Sequence, residues 1–147
     1  MTPESLTAPV TIERVNGTEA AHDLYALQET CLPADKPADV AFGHWWLAYD
    51  DDEPIAFAGM YQSRNWANSV YLVRSGVVPA FRGRGLQKRL IRARLNHAKK
   101  LGYEYAISET LDNPPSSNSL IGCGFKIFTP TKLWSRSKKA IYFRKKL

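Results

Sequence analysis

Cysteine is scarce in this 147-residue chain: only Cys31 and Cys123 are present, which excludes a disulfide scaffold and any zinc-ligand spacing. Long apolar runs are also missing. None approaches the roughly 20 residues that cross a bilayer, so no spanning segment is expected. Met1 to Pro9 has neither the basic start nor the apolar core of a secretory leader. Together these absences lead to the expectation of a cytoplasmic protein. No repeat, low-complexity tract or linker divides the chain, so residues 1–147 are expected to form one domain, with 1–8 flexible. The four consecutive acids Asp50 to Glu53 lack the alternating ligands of a calcium loop, and no metal site is expected.

Charge of one sign is scarce in each part of the chain. Residues 1–81 carry four basic and eleven acidic side chains, a balance of −7, whereas residues 82–147 carry sixteen basic and three acidic, a balance of +13. A basic C-terminal half asks for an anionic partner, and nucleic acid, a membrane surface or a phosphorylated cofactor all fit that charge. Hydrophobic residues at 44% and charged residues at 23% make a globular domain with a real core, not a disordered chain.

Periodicity predicts the elements. Ala8 to Val15 alternates as a strand, and Thr18 caps a helix over Glu19 to Leu32. Pro33 and Pro37 open a loop or short helix that runs to His44. Trp45 to Tyr49 and Ile55 to Gln62 flank a turn at Asp50 to Pro54, a hairpin pattern. Ser69 to Val78 is a further strand, and a helix that Gly102 ends carries Leu86, Leu90, Ile91, Leu95 and Ala98 at helical spacing. Tyr103 to Thr110 is a strand, Ser116 to Cys123 a short helix, and Phe125 to Phe128 and Ala140 to Arg144 are closing strands. The order is that of an α/β domain on a mixed sheet.

Chemistry becomes readable where the strand ending at Val78 meets the loop Phe81 to Gly85 and a basic helix begins. Glycines let a phosphate approach the backbone, and first-turn N–H groups have no intrahelical acceptor. Those donors and the helix dipole make an anion site, with Arg82, Arg84, Lys88 and Arg89 around it.

This segment resembles the hallmark of the GNAT superfamily of N-acetyltransferases, Arg/Gln-x-x-Gly-x-Gly/Ala at a strand–helix junction. Here it reads Arg82-Gly83-Arg84-Gly85-Leu86-Gln87, with Gln87 in place of the last small residue. A second match is Asn113, which precedes Gly124-Phe125 at the family's spacing. The resemblance covers about residues 10 to 147. It implies a mixed central sheet of six to seven strands flanked by helices and splayed at strands 4 and 5. It also implies acetyl-CoA as cofactor, held by the amides of Gly83, Arg84, Gly85, Leu86, Gln87 and Lys88, with Arg82, Asn113 and Ser116 nearby. The strand end Gly76, Val77 and Val78 would pair with the pantetheine arm, and an amide near Val77 could polarise the thioester carbonyl.

Acetyl transfer needs a deprotonated amine and a protonated leaving sulfur. The family's acid, a Tyr seven residues after the Asn, is Leu120 here, and its frequent Glu base falls at Tyr71. Ser119 is adjacent to the first, with Ser116, Ser117, Cys123 and Tyr142 as other donors. Glu109, at the end of the following strand, is the first choice of base, ahead of Asp112 and His44. Glu29, Asp35 and Asp39 could draw in a cationic amine. Three functions follow: acetylation of a primary amine on a small molecule, peptide or protein; acetylation of an amine on nucleic acid or an associated protein, for which Trp134, Tyr142 and Phe143 among the basic residues of Lys132 to Lys146 offer contacts; or a non-catalytic acyl-CoA-binding module. A monomer or a homodimer would suit any of them.

Overall fold

Alternating strand patterns and one strongly amphipathic helix arrange residues 9–147, which the computed structural model describes, into β1 (Thr11–Val15), α1 (Ala21–Cys31), β2 (His44–Asp50), β3 (Glu53–Gln62), β4 (Ser69–Val77), α2 (Leu86–Lys100), β5 (Tyr105–Leu111), α3 (Pro114–Gly122), β6 (Lys126–Phe128) and β7 (Ala140–Lys146). The flexible tail expected at 1–8, and the Ala8 start of the first strand, lie outside the described residues.

The strands form one seven-stranded sheet in the order β1-β2-β3-β4-β5-β7-β6. All neighbours are antiparallel except β4 and β5, which are parallel and joined only at Ser69↔Tyr105, Val70↔Ala106 and Tyr71↔Ile107. Beyond Tyr71 the two strands part, at the place the resemblance implied. Their divergence has a local cause. Between the pairs Met60↔Leu72 and Ala58↔Ser75, β3 has Gly59 alone while β4 has Val73 and Arg74. One extra residue makes a bulge, which bends its strand and raises the local twist. The carbonyl of Gly59, opposite the bulge, accepts from Arg94 Nη1 at 3.2 Å, and Arg94 Nε donates to Leu90 O at 3.2 Å. Arg94 is fully buried, and loss of hydration pulls its pKa down to about 9, so it stays charged at neutral pH.

Two cores cover the sheet. Leu86, Leu90, Ile91 and Leu95 of α2 and Leu120 of α3 pack against its one face, with Phe125 and Phe143. Leu24 and Leu27 of α1 pack against the other, on Trp45, Leu47 and Phe57. No residue of β5, β6 or β7 belongs to this second cluster.

One local expectation is corrected, and one left open is decided. Thr18 does not cap α1; Asn16 Oδ1 accepts from the N–H groups of Thr18 and Glu19, both at 3.0 Å, and the helix starts at Ala21. The amide oxygen of asparagine closes a turn ahead of the helix. Of the loop or short helix expected from Pro33 to His44, the structure has the loop. Its backbone is held instead by a buried side chain: Gln28 Oε1 accepts from Ala38 N at 2.7 Å and Gln28 Nε2 donates to Ala38 O at 3.3 Å.

Candidate active site

Both loop glycines, Gly83 and Gly85, have φ +78°, the left-handed conformation that side chains resist. Nothing stands within 4 Å of where a Cβ would be on either, so the space in front of the loop is open. Among the described residues, no protein group accepts from the N–H of Gly83, Arg84, Gly85, Leu86, Gln87 or Lys88; the first to find a partner is Arg89, to Gly85 O at 3.2 Å. Six donors therefore converge at the positive end of α2. The cations around them are held by main-chain oxygens or rings and not by carboxylates. Arg82 Nε donates to Val77 O at 3.0 Å, Arg89 Nη2 to Val10 O at 2.9 Å, and Arg84 lies 4.9 Å from the Phe81 ring centre. Gln87 turns towards β4, where its Oε1 accepts from Ser75 Oγ at 3.2 Å, and Leu86 points into the core.

The end of β4 offers one donor to the gap. Val78 N–H bonds Ile55 O at 3.0 Å on the β3 side. In an antiparallel ladder successive N–H groups face opposite ways, so Val77 N–H is turned towards the opening where β5 has left. The N–H of Val78 is thus taken by β3. Gly76 lies against Cys31 of α1, whose Cβ would be 2.5 Å from an added Cβ.

Where β4 and β5 part there is a cleft of about 650 Å³. Tyr71 and Glu109, 38 residues apart, meet in it: Tyr71 Oη donates to Glu109 Oε1 at 2.6 Å. Burial, then the bond and charge of Glu109, push the Tyr71 phenol well above its usual range. It remains protonated and acts as a donor, not as a base. Among the described residues, Glu109 Oε2 is buried without a partner, as are Arg74 Nε and Trp134 Nε1. All three residues line the same cleft, and orphaned buried polar atoms gathered at one cavity indicate a ligand that supplies their partners.

The raised phenol has a consequence for alkaline stability. Above pH ~10 the unfolded chain loses the Tyr71 proton while the folded protein keeps it, so stability falls by up to about 1.4 kcal/mol per pH unit from this group. Urea melts of Tyr71→Phe should therefore lose less stability between pH 10 and 11.5 than the native protein. Equal slopes would mean that Tyr71 titrates freely.

The other candidates divide. Ser119 and Ser116 line the cleft, as does Asn113, whose Oδ1 accepts from Ser116 N at 3.2 Å and so caps α3. Leu120 is buried in the core. Ser117 Oγ is 2.9 Å from Thr110 Oγ1, and Tyr142 Oη accepts from Ser135 N at 3.1 Å, so both hydroxyls serve packing contacts. Cys123, Asp112 and His44 lie outside the lining; His44 packs edge-on to His97, ring centres 4.8 Å apart. Of the three acids proposed to attract an amine, only Asp35 lines the cleft, 3.9 Å from Arg74. Sequence reasoning passed over Arg94, and over Ser135 and Arg136, which form a wall of the cleft with Trp134. For Arg94 a signal existed, since it sits on the apolar stripe midway between Leu90 and Ala98.

Residues 13–125 match the model of the acetyltransferase (GNAT) family. Solved structures with the same fold include the IAA acetyltransferase from Bacillus cereus, at 19% identity and TM-score 0.76 over 95% of this chain and 100% of that one. An acetyltransferase from Bacillus subtilis in complex with CoA is also 19% identical, with TM-score 0.76 over 95% and 99% of the two chains. A GNAT family acetyltransferase from Elizabethkingia anophelis with acetyl-CoA bound is 20% identical, with TM-score 0.70 over 94% and 98%. At these identities the likeness speaks for the fold. No functionally curated protein matches the sequence.

Proposed function

The chain belongs to the acetyltransferase (GNAT) family, and from that premise we propose that it is an N-acetyltransferase which moves the acetyl group of acetyl-CoA to a primary amine. One observation carries this reading: among the described residues, six amides at a helix start and a buried carboxylate oxygen lack protein partners, and Gln87 and Glu109 line the same cleft where β4 and β5 part. The residues fit a coenzyme pyrophosphate. Gly83 to Lys88 present donors to an open space, and Arg82, Arg84, Lys88 and Arg89 supply positive charge there.

Acetyl-CoA supplies the acetyl group as a thioester. Within the chain, Glu109 Oε2 is the acceptor for the proton of the incoming ammonium. Tyr71 is a positioning residue: its hydrogen bond holds the other carboxylate oxygen and fixes which one faces the amine. Val77 N–H is the donor for negative charge developing on the carbonyl oxygen. Ser119, on the cleft wall, is the candidate proton donor to the departing sulfur. The two cysteines are free thiols, which suits the cytoplasm as its place of action. No helix among the described residues is long and apolar enough to cross a membrane.

Thiol release from acetyl-CoA, followed against a panel of primary amines, tests the reading. Amine-dependent release is the expected result. Saturable coenzyme binding with no release on any amine would replace it with a non-catalytic acyl-CoA-binding module.

A further inference from the structure

Among the described residues Arg94 is the only charged side chain that is fully buried, and acetyl transfer by Glu109 and the Val77 N–H makes no use of it. Its two hydrogen bonds go to main-chain oxygens, Leu90 O one turn back on α2 and Gly59 O opposite the β4 bulge. They occupy two of the five N–H donors of a guanidinium. Among the described residues no carboxylate lies within ion-pair distance of it, and Cys123 at the end of α3 is the one ionisable group whose charge acts on it. A buried cation without a counter-ion is costly. Holding a carbonyl opposite a bulge does not require one, since a neutral amide donor would serve.

Arg94 is not sealed off. It lines the same cleft as Glu109, together with Leu72, Ile91 and Leu120. Those three belong to the core cluster on the α2 face, and apolar surroundings screen a charge far less than water does. Glu109 stands on the other side of the opening: side chains of β5 alternate, and Ala106 packs in the α2 cluster, so Glu109 faces away from α2. The amide cradle at Gly83 to Lys88 leads into Arg94's own helix. A coenzyme held there reaches the opening from the side of Arg94, and the amine reaches it from the side of Glu109.

Transfer forms the N–C bond and breaks the C–S bond, whose electron pair goes to sulfur, while the ammonium proton goes to Glu109 Oε2 and from there to water. One negative charge is left on sulfur. Where the family has its tyrosine acid, the wall has Leu120, which has no proton to give. Serine does not titrate in the range where a thiol does, so a hydrogen bond from Ser119 leaves that charge in place.

Resting on the acetyltransferase reading above, we propose that the guanidinium of Arg94 is the counter-charge for the departing coenzyme thiolate, in place of a protonating side chain. Its two carbonyl bonds hold the cation still, so nothing need reorganise as charge develops on sulfur. The other ionisable groups of the cleft are engaged elsewhere. Tyr71 donates to Glu109, and Arg74 is 3.9 Å from Asp35. Arg136 follows Ser135, whose N–H donates to Tyr142, the cross-strand partner of Glu109, and so belongs to the side of the base.

The test is the ionisation of coenzyme A when bound. Calorimetry at pH 8 in buffers of different ionisation enthalpy counts the protons released on binding. CoA should release roughly half a proton more than desulfo-CoA, which lacks the sulfur and controls for the phosphates and the protein groups. In Arg94→Gln this excess should vanish, with affinity for desulfo-CoA within about threefold of the native value. Arg94→Met, which keeps the length of the side chain without its donors, gives the same comparison should the first variant not fold. Equal release from the two ligands by the native protein overturns the proposal without any variant. So does an excess that survives in the variants, or an equal loss of affinity for both ligands, which would make Arg94 a holder of the bulge only. Binding and amine-dependent turnover without the excess remove this inference alone; failure of the native protein to bind CoA removes the acetyltransferase reading with it.

Discussion

Gly85→Val is expected to lower affinity for acetyl-CoA by on the order of 100-fold or more, while Gly102→Val leaves it unchanged. The two positions form a matched pair at opposite ends of α2. Gly85 has φ +78° and Gly102 φ +88°, and neither has any atom within 4 Å of an added Cβ. A side chain at either place incurs similar left-handed strain, roughly 1–2 kcal/mol, and should lower the melting temperature by a few degrees. Only at Gly85 does the new side chain stand before the free amides of Gly83 to Lys88. Hydrogen bonds to a charged group contribute about 1.5–3 kcal/mol each, so the loss of one or two accounts for the fold-change. Titration calorimetry with acetyl-CoA and thermal melts of both variants separate the effects. Equal coenzyme affinity in the two would show that the amides do not hold the pyrophosphate.

Glu109→Gln should reduce kcat by about 10²–10⁴-fold with the dissociation constant for acetyl-CoA unchanged. The substitution keeps the shape of the side chain, and its amide oxygen can still accept from Tyr71. What disappears is the basic atom: an N–H donor replaces the Oε2 acceptor, which has no partner among the described residues. If Glu109 served only to attract the ammonium, KM for the amine would rise and kcat would stand. Steady-state kinetics on an amine from the panel distinguish these outcomes, and an unaltered kcat would transfer the role to another group on the cleft wall.

Much of the fold was legible because its signals are local. The hydrophobic stripe of α2 and the apolar runs of β3 and β4 depend on residues within one or two turns or pleats of each other. Legibility failed where a side chain from elsewhere decided the backbone. After Pro33 the sequence allows a loop or a short helix, and Gln28, ten residues upstream of Ala38, decides for the loop. At the start of α1 two turn-forming residues compete, and Asn16 prevails over Thr18. The site divides along the same line. The cradle at Gly83 to Lys88 is one continuous segment, readable from its glycines and the helix behind them. The acid–tyrosine pair is not, since Tyr71 reads as a strand residue and Glu109 as a strand-end charge until their pairing register is known.

Sequence by itself thus determined where a diphosphate can be held, because free N–H groups and left-handed glycines are properties of a short stretch of chain. Tertiary structure alone decided what stands across from it. The extra residue in β4 bends that strand away from β5 after Tyr71, and only the resulting gap brings Glu109, Tyr71 and Trp134 together. Burial there removes water from the partners of those side chains, and that turns three ordinary polar groups into a site that demands a ligand.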